Sequence, residues 1–426
     1  MCQVRQKAIF IGVSAFLSLS ANANPTVDAP SVFANDTLGK VSGNQGVPAV
    51  SSTSKTLSPK GEVIISDPVP PSLDVHGYVL EEAYSGKILA QQTPDQRMAP
   101  ASLTKLMTLY LAFEALNAGR IHSGDLVPVS QNAWKTGGSR MFIKVNDRVA
   151  VGALINGVIV DSGNDACVAL AEYIGGTEAN FVNLMNTQAG LLGMKSTHYM
   201  DCTGLPNPQH YTTPRDMALL TRAIILNFPQ YYPLFAQKEF TYNHITQPNR
   251  NRLLWRDPSV DGLKTGHTDE AGYCLIASAR RNDMRLIAAV LGAPTDAARA
   301  QYTENLLEYG FRFYKIHKMY AKNQVMQTIP VYLGKKKQLP VGVGDDFYVM
   351  TITGQYPQLK TEIQLETPLK APVIKGQKVG TVILTIHNKE VAQTNLIALE
   401  DIAKGGFISR LWDHARLSLH KKEAKP

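Results

Sequence analysis

Ser102 and Lys105 lie three residues apart in Pro100-Ala101-Ser102-Leu103-Thr104-Lys105-Leu106-Met107-Thr108. Ser162-Gly163-Asn164 follows, and then Lys264-Thr265-Gly266. In that order these are the parts of one acyl-transfer site. A serine hydroxyl is a poor nucleophile near neutral pH and needs an adjacent base. On a helix, residues three apart share a face, so the Lys105 amine can reach the Ser102 oxygen and no histidine is required. A lysine serves as base only when its ammonium form is destabilised, by burial or by a second cation; Lys264 is the candidate for that cation. The Ser162 hydroxyl can pass a proton to the leaving group, and the Asn164 amide can hold Lys105 and the substrate backbone. Thr265 can offer a hydroxyl to a carboxylate. Gly266, without a Cβ, lets a peptide lie along that strand as an added strand.

Short motifs recur by chance, and this chain holds its own decoys: Ser52–Lys55 and Ser418–Lys421, Ser42-Gly43-Asn44 and Ser130-Gln131-Asn132, and Lys135-Thr136-Gly137. Context separates them. Ser42 and Ser52 lie in a polar stretch without hydrophobic period, Ser418 near the C-terminus, and Lys135 before a Gly-Gly loop. Ser102 instead opens an apolar run (Leu106, Leu109, Tyr110, Phe113) just after Pro100, which predicts a helix. Ser162 precedes a helical stretch over Ala166–Tyr173. Lys264 precedes two β-like runs, Gly272–Ala279 and Arg285–Gly292, turned at Asn282-Asp283.

On these motifs the chain resembles the low-molecular-mass penicillin-binding proteins that are serine-type D-Ala-D-Ala carboxypeptidases. The resemblance covers about residues 70 to 420. It extends to Tyr84-Ser85-Gly86-Lys87, Ser162-Gly163-Asn164-Asp165-Ala166, Thr213-Pro214-Arg215-Asp216-Met217 and Asp261-Gly262-Leu263-Lys264-Thr265-Gly266-His267-Thr268. It implies removal of the terminal D-alanine from peptidoglycan stem pentapeptides through an acyl-enzyme on Ser102, with covalent capture of β-lactams. It places the oxyanion hole at the backbone N–H groups of Ser102 and His267. Arg250 matches a family arginine near the carboxylate end, and Arg299 matches less closely. Asp216 reads as structural, and Thr136–Met141 as a loop over the cleft.

Three other functions compete. A class A β-lactamase would carry Asp at position 163 and a Glu-x-x-Leu-Asn downstream; this chain has Gly163 and no such segment. A murein DD-endopeptidase of the same superfamily generally lacks a second β domain. A cell-wall scaffold without activity would have lost Ser102, Lys105 or Lys264. A Gly-x-Ser-x-Gly elbow is absent from the sequence, which disfavours a triad hydrolase.

The elements that position these residues follow from the pattern along 426 residues, enough for two or three domains. Residues 1–23 read as a signal peptide: Arg5 and Lys7, an apolar run from Ala8 to Leu19, then Ala21-Asn22-Ala23. Residues 24–70, rich in Ser, Thr, Pro and Gly, read as a flexible leader. Residues 71–315 form the expected catalytic domain, with a hairpin of Gly77–Ala83 and Lys87–Gln91, helices from Ser102 to about Phe235, three strands, and a helix from Asp296 to about Tyr314. The fold class is α/β (α+β): an antiparallel sheet flanked by helices, like the serine β-lactamase/transpeptidase fold that the resemblance implies. Residues 316–405 carry short alternating runs and read as a small all-β domain.

Residues 406–426 read as an amphipathic helix with a basic tail. At about 100° per residue, Phe407, Ile408, Leu411, Trp412, Ala415 and Leu419 share one face, and Arg410, Asp413, Arg416 and His420 the other. Such a helix suits the membrane interface but is too short and charged to span it; the alternative is a helix packed onto the β domain. The expected location is therefore the periplasmic face of the bacterial inner membrane, after export.

The formal charge of +8 comes from scattered residues. No basic and aromatic pattern points to nucleic acid; an anionic surface or a carboxylate-bearing substrate explains the balance. The ten histidines show no metal-ligand spacing, so neither metal nor other cofactor is expected. Signal cleavage would leave Cys167, Cys202 and Cys274, an odd number, hence at least one free thiol.

Overall fold

The computed structural model describes residues 55–57, 63–65, 68–366, 368–407 and 413. Its first large element is a five-stranded antiparallel sheet in the order Ile88–Gln92, Gly77–Glu82, Met284–Ala293, Gly272–Arg281, Val260–Thr268. Strands from both ends of this region thus meet in one sheet, and the strand with Lys264 occupies an edge. Alternation along the strands builds two cores, because successive side chains point to opposite faces. Val79, Ile276, Ile287 and Ala289 join the core under the helices, whereas Tyr78, Leu275, Leu286 and Ala288 face the helix Asp296–Phe313.

The helix Lys105–Asn117 is buried almost all round and shows no apolar stripe. A helix hydrophobic on every side belongs inside a protein, and here it lies in the core between Asn164–Gly175, Glu178–Leu191 and Pro214–Asn227. The last two begin at Thr177 and Thr213, whose hydroxyls accept from the N–H groups of Asn180 and Asp216.

A second, all-β region follows. Its sheet runs Val325–Pro330, Gln338–Val343, Lys389–Ala398, Lys378–Ile386, Lys360–Leu365, with Tyr314–Tyr320 paired to Phe347–Ile352. Its own core holds Leu339, Val341, Val379, Val382 and Leu396.

Some features differ from the expectations. The paired strands Leu126–Pro128 and Arg148–Ala150 interrupt the helical region; three residues each are too few to show a period. Gln338–Val343 is a strand that the pattern does not predict, because Pro340 and Gly342 break its alternation. Within the expected leader, Lys55–Leu57 pairs with Val63–Ile65, and Pro68 is already tied to the fold, since its carbonyl accepts from Tyr309 Oη at 2.8 Å. The signal segment and most of 406–426 lie outside the described residues. Asp413, expected on the polar face of the terminal helix, is described. It is buried, and its Oδ2 accepts from the Leu333 N–H at 2.6 Å and from Lys337 Nζ at 2.7 Å.

Candidate active site

Ser102 lies in a tight 3₁₀ turn, Ala101–Thr104, at the head of the helix that starts at Lys105. Ala101 has φ 47, a conformation that an alanine adopts only where its surroundings impose it. The imposing neighbours are visible. Gly204, at φ +90, packs so closely that an added Cβ would fall 1.8 Å from the Ala101 carbonyl oxygen. A Cβ on Gly266 would meet the Pro100 carbonyl oxygen at 3.1 Å and Leu103 at 3.3 Å. This corrects the reason given for Gly266: its missing Cβ faces the nucleophile segment and allows the strand to approach it. That strand ends the sheet, and among the described residues its outer edge is paired with no other strand.

Lys105 Nζ donates to Ser102 Oγ at 2.9 Å and to the Thr203 carbonyl at 2.7 Å. Lys264 Nζ donates to Ser162 Oγ at 2.9 Å and to its neighbour's carbonyl at Thr265. Both amines are almost wholly buried. Burial destabilises the charged form and pushes the Lys105 pKa below the usual lysine value; Arg250 adds to this, while Asp201 opposes it. Lys264 is pushed well below, by burial first and then by the cations Lys105, Arg250 and Arg299. Lys105 thus favours the neutral form of Lys264, whereas the cation acting on Lys105 is Arg250 rather than the expected Lys264.

Ser162 follows a π-helical turn, Gly157–Asp161, and itself takes the left-handed conformation at φ 57. Such turns recur at functional sites. Asn164, at the start of the helix Asn164–Gly175, does not bond Lys105. Its Nδ2 donates to the Gly137 carbonyl at 2.6 Å, and its N–H to the Ser139 carbonyl at 2.7 Å. This corrects the expected contact: the amide secures the glycine loop, and its Oδ1 is buried without a protein partner. Gly138 needs its φ of +85 and its missing Cβ there, since a Cβ would fall 2.7 Å from Asn164 Nδ2. Asp165 completes the clasp, accepting from the N–H groups of Met141, Phe142 and Ile143. The loop expected over the cleft is therefore pinned at its base.

Ser102, Ser162, Thr265, Gly266 and His267 line one cavity of about 810 Å³, together with Arg250 and Arg299. The motifs far apart in sequence meet there. His267 is exposed and stacks on Tyr273, with ring centroids 4.0 Å apart. Arg250 is exposed, so its guanidinium is open to a ligand. Arg299 differs. It is buried, donates to the Gly266 carbonyl at 3.2 Å and the Cys274 carbonyl at 3.4 Å, and pairs with Asp296. It braces the Lys-Thr-Gly strand from behind more than it offers a free charge. The decoy Lys135 is exposed at the end of a short helix, away from any strand; Ser42, Ser52 and Ser418 lie outside the described residues. Cys167, Cys202 and Cys274 are all buried and free.

Comparison with known proteins decides the family. The profile for D-alanyl-D-alanine carboxypeptidase, family S11 of the peptidases, matches residues 65–295. The chain belongs to the D-alanyl-D-alanine carboxypeptidase family. The profile for the C-terminal domain of penicillin-binding protein 5 matches residues 314–404. The D-alanyl-D-alanine carboxypeptidase DacC of Escherichia coli (strain K12) is 44% identical over 359 residues, 82% of this chain and 90% of that protein. Among solved structures, penicillin binding protein 5 from Haemophilus influenzae is similar with a TM-score of 0.76 at 40% identity, covering 79% of this chain and 99% of that one. Penicillin-binding protein D2 from Listeria monocytogenes, solved in an ampicillin-bound form, gives a TM-score of 0.53 at 31% identity over 57% of this chain and 99% of that one. In this carboxypeptidase family member the three catalytic motifs that carried the resemblance converge on one cavity.

Sequence reasoning missed Asp165, which clasps the loop, and Asp201, which acts on Lys105. Asp165 was quoted only as part of the resemblance. Asp201 had a local signal, an Asp two and three residues before Thr203-Gly204, which is the pattern of an Asx turn.

Proposed function

We propose that this chain removes the terminal D-alanine from peptidoglycan stem pentapeptides, as a serine-type D-Ala-D-Ala carboxypeptidase working through an acyl-enzyme on Ser102. The observation that carries the mechanism is the 2.9 Å contact between the buried Lys105 Nζ and Ser102 Oγ. Neutral Lys105 takes the Ser102 proton as Oγ attacks the carbonyl carbon of the penultimate D-alanine. The developing oxyanion is met by the backbone N–H groups of Ser102 and His267. Ser162, held by Lys264, gives its proton to the departing amine and recovers one from the Lys105 ammonium, so D-alanine leaves with Lys105 neutral again. Water then attacks the ester with Lys105 again as base, which restores the serine. A β-lactam enters the same path, because its ring carbonyl stands in for the scissile amide.

Recognition of the free carboxylate falls to Arg250 and the Thr265 hydroxyl at the open end of the cavity. Arg299 supports this by holding the strand that carries Thr265 and Gly266. The substrate lies along the unpaired edge of Val260–Thr268. The test is turnover of diacetyl-Lys-D-Ala-D-Ala against a cross-linked muropeptide dimer. Release of D-alanine from the first, without cleavage of the second, fits a carboxypeptidase. Cleavage of the dimer alone would make the protein a DD-endopeptidase, and activity on neither would leave a scaffold.

The proposed organisation is a signal peptide (1–23), a leader (24–70), a catalytic domain (71–315), a β-rich domain (316–405) and a terminal amphipathic helix (406–426). Export and docking on the periplasmic face of the inner membrane follow from it. The exposed Phe407, 80% open to solvent, fits an apolar face turned to a membrane, whereas Asp413, buried and bonded to Leu333 and Lys337, fits packing of this segment on the β-rich domain. Among the described residues no helix is long and apolar enough to cross a membrane. Truncation after Lys404 is expected to release the enzyme from membranes with peptide turnover intact; retention on membranes after signal cleavage would exclude the helix as anchor.

A further inference from the structure

The wall behind the nucleophile is a short loop, Asp201 to Gly204, and one carboxylate organises it. Asp201 Oδ1 accepts from the N–H of Thr203 at 2.6 Å, from the N–H of Gly204 at 2.6 Å and from Thr203 Oγ1 at 2.8 Å. These bonds turn the Thr203 carbonyl toward the interior, where it receives Lys105 Nζ at 2.7 Å. The other carboxylate oxygen lies 3.3 Å from His210 Nδ1. His210 Nε2 is 2.9 Å from Thr104 Oγ1, in the turn that carries Ser102. His210 is buried. A chain of contacts therefore runs from Thr104 through His210, Asp201 and Thr203 to Lys105, both ends of it beside the reacting serine.

We propose that Asp201 and His210 are positioning residues for acyl transfer, fixing the Thr203 carbonyl and, through it, the orientation and basicity of Lys105. The proposal rests on Lys105 being the base. The geometry gives it two parts. Orientation comes from the carbonyl: with Thr203 O and Ser102 Oγ both in reach, Lys105 Nζ has two of its hydrogen-bond directions assigned, and its lone pair, when neutral, is left with Ser102. Basicity comes from the charge on Asp201, which favours the ammonium form of Lys105 and so opposes the effect of burial and of Arg250. Burial by itself would raise the Asp201 pKa; His210 and the donors of Gly204 and Thr203 outweigh it and hold the carboxyl well below the usual carboxylate range. Other groups face this region. On the sheet side stand Lys264, pushed well below the usual lysine value, and the cation Arg299; the Cys167 and Cys202 thiols lie beside Lys105, and Glu178 accepts from the Cys202 N–H. Burial and neighbouring acceptors keep the Cys202 thiol protonated. Asp201 thus acts with Cys167 and Cys202 in favouring the Lys105 ammonium, and alone among them it also holds the loop that presents the Thr203 carbonyl.

The test uses the full chain with Asp201→Asn and His210→Gln. The readouts are the acylation rate with a fluorescent penicillin as a function of pH, and kcat and KM on diacetyl-Lys-D-Ala-D-Ala. The Asp201→Asn change keeps an acceptor for the loop but removes the charge, so the acid limb of the acylation profile should move down by about one pH unit. In both variants kcat should fall about ten- to hundredfold with KM unchanged, as misplacement of a catalytic group implies. An unmoved acid limb in Asp201→Asn, or wild-type kcat in His210→Gln, would overturn the proposal. Should Asp201→Asn not fold, Thr104→Val, which cuts the chain of contacts at its other end, is expected to lower kcat at constant KM, and an unchanged kcat there would likewise overturn it. Wild-type protein that takes no penicillin on Ser102 would instead be a failure of the proposed function.

Discussion

Lys264 Nζ donates to Ser162 Oγ at 2.9 Å, in a cleft where Lys105 Nζ donates to Ser102 Oγ at the same distance. Two serine–lysine pairs therefore face the same cavity, and both lysines are buried. Burying two ammonium ions together is costly, so the arrangement favours neutral amine where a base is needed. In the proposed mechanism the pair with Ser102 acylates and the pair with Ser162 passes the second proton.

Lys105→Arg retains the charge and much of the volume but cannot lose its proton in a protein. Acylation by a fluorescent penicillin is expected to fall by about 10²–10⁴-fold, the usual worth of a general base. The residual rate should lack the rise with pH that titration of Lys105 gives the wild type. Equal rates across the pH range for both proteins would remove Lys105 from the role.

Arg250→Ala leaves Arg299 in place, since Arg299 is tied to Gly266, Cys274 and Asp296. On a peptide ending in a free D-Ala carboxylate, kcat/KM should drop roughly ten- to hundredfold, the value of a charge-assisted hydrogen bond. The amidated peptide should lose far less. Equal losses on both peptides would show that Arg250 does not read the carboxylate.

Asp161, one residue before Ser162, is buried with Oδ1 lacking a hydrogen-bond partner. Burial, assisted by Asp165 and opposed by Arg250, raises its pKa to about 7. Unfolded, the same group titrates near 3.8. Between these values the folded state holds the proton more tightly than the unfolded chain, so this group's contribution to stability declines as pH rises from about 4 to about 7. Asp161→Asn removes that decline. Its melting temperature relative to wild type should climb between pH 4 and pH 7 and level off above; a difference constant with pH would show that Asp161 does not titrate in this window.

How much of this was legible in the sequence varies with the distance over which each feature is encoded. The three catalytic motifs are contiguous tripeptides or a single helical turn, and each stands on an element whose period is plain, such as Leu106 to Phe113. The central sheet was legible because its longest strands, Gly272–Arg281 and Met284–Ala293, are near-continuous apolar runs on either side of a clear Asn282-Asp283 turn. Asp201 and His210 were not. They are separated by irregular chain, and only folding brings the carboxylate beside the imidazole. The role of Asn164 also escaped, because its amide partner, the Gly137 carbonyl, is 27 residues away along the chain. Gly266 was singled out correctly as a close-approach position, but the approaching surface, Pro100 to Leu103, belongs to a segment far earlier in the chain.

The most direct test of the central claim is the site of covalent attachment. The full chain is incubated with a penicillin, digested, and the adduct located by mass spectrometry. A single adduct on the peptide containing Ser102, lost in Ser102→Ala and retained in Ser52→Ala and Ser418→Ala, is the expected result. An adduct on Ser162 or on either decoy serine, or labelling that persists in Ser102→Ala, would contradict the assignment of Ser102 as nucleophile.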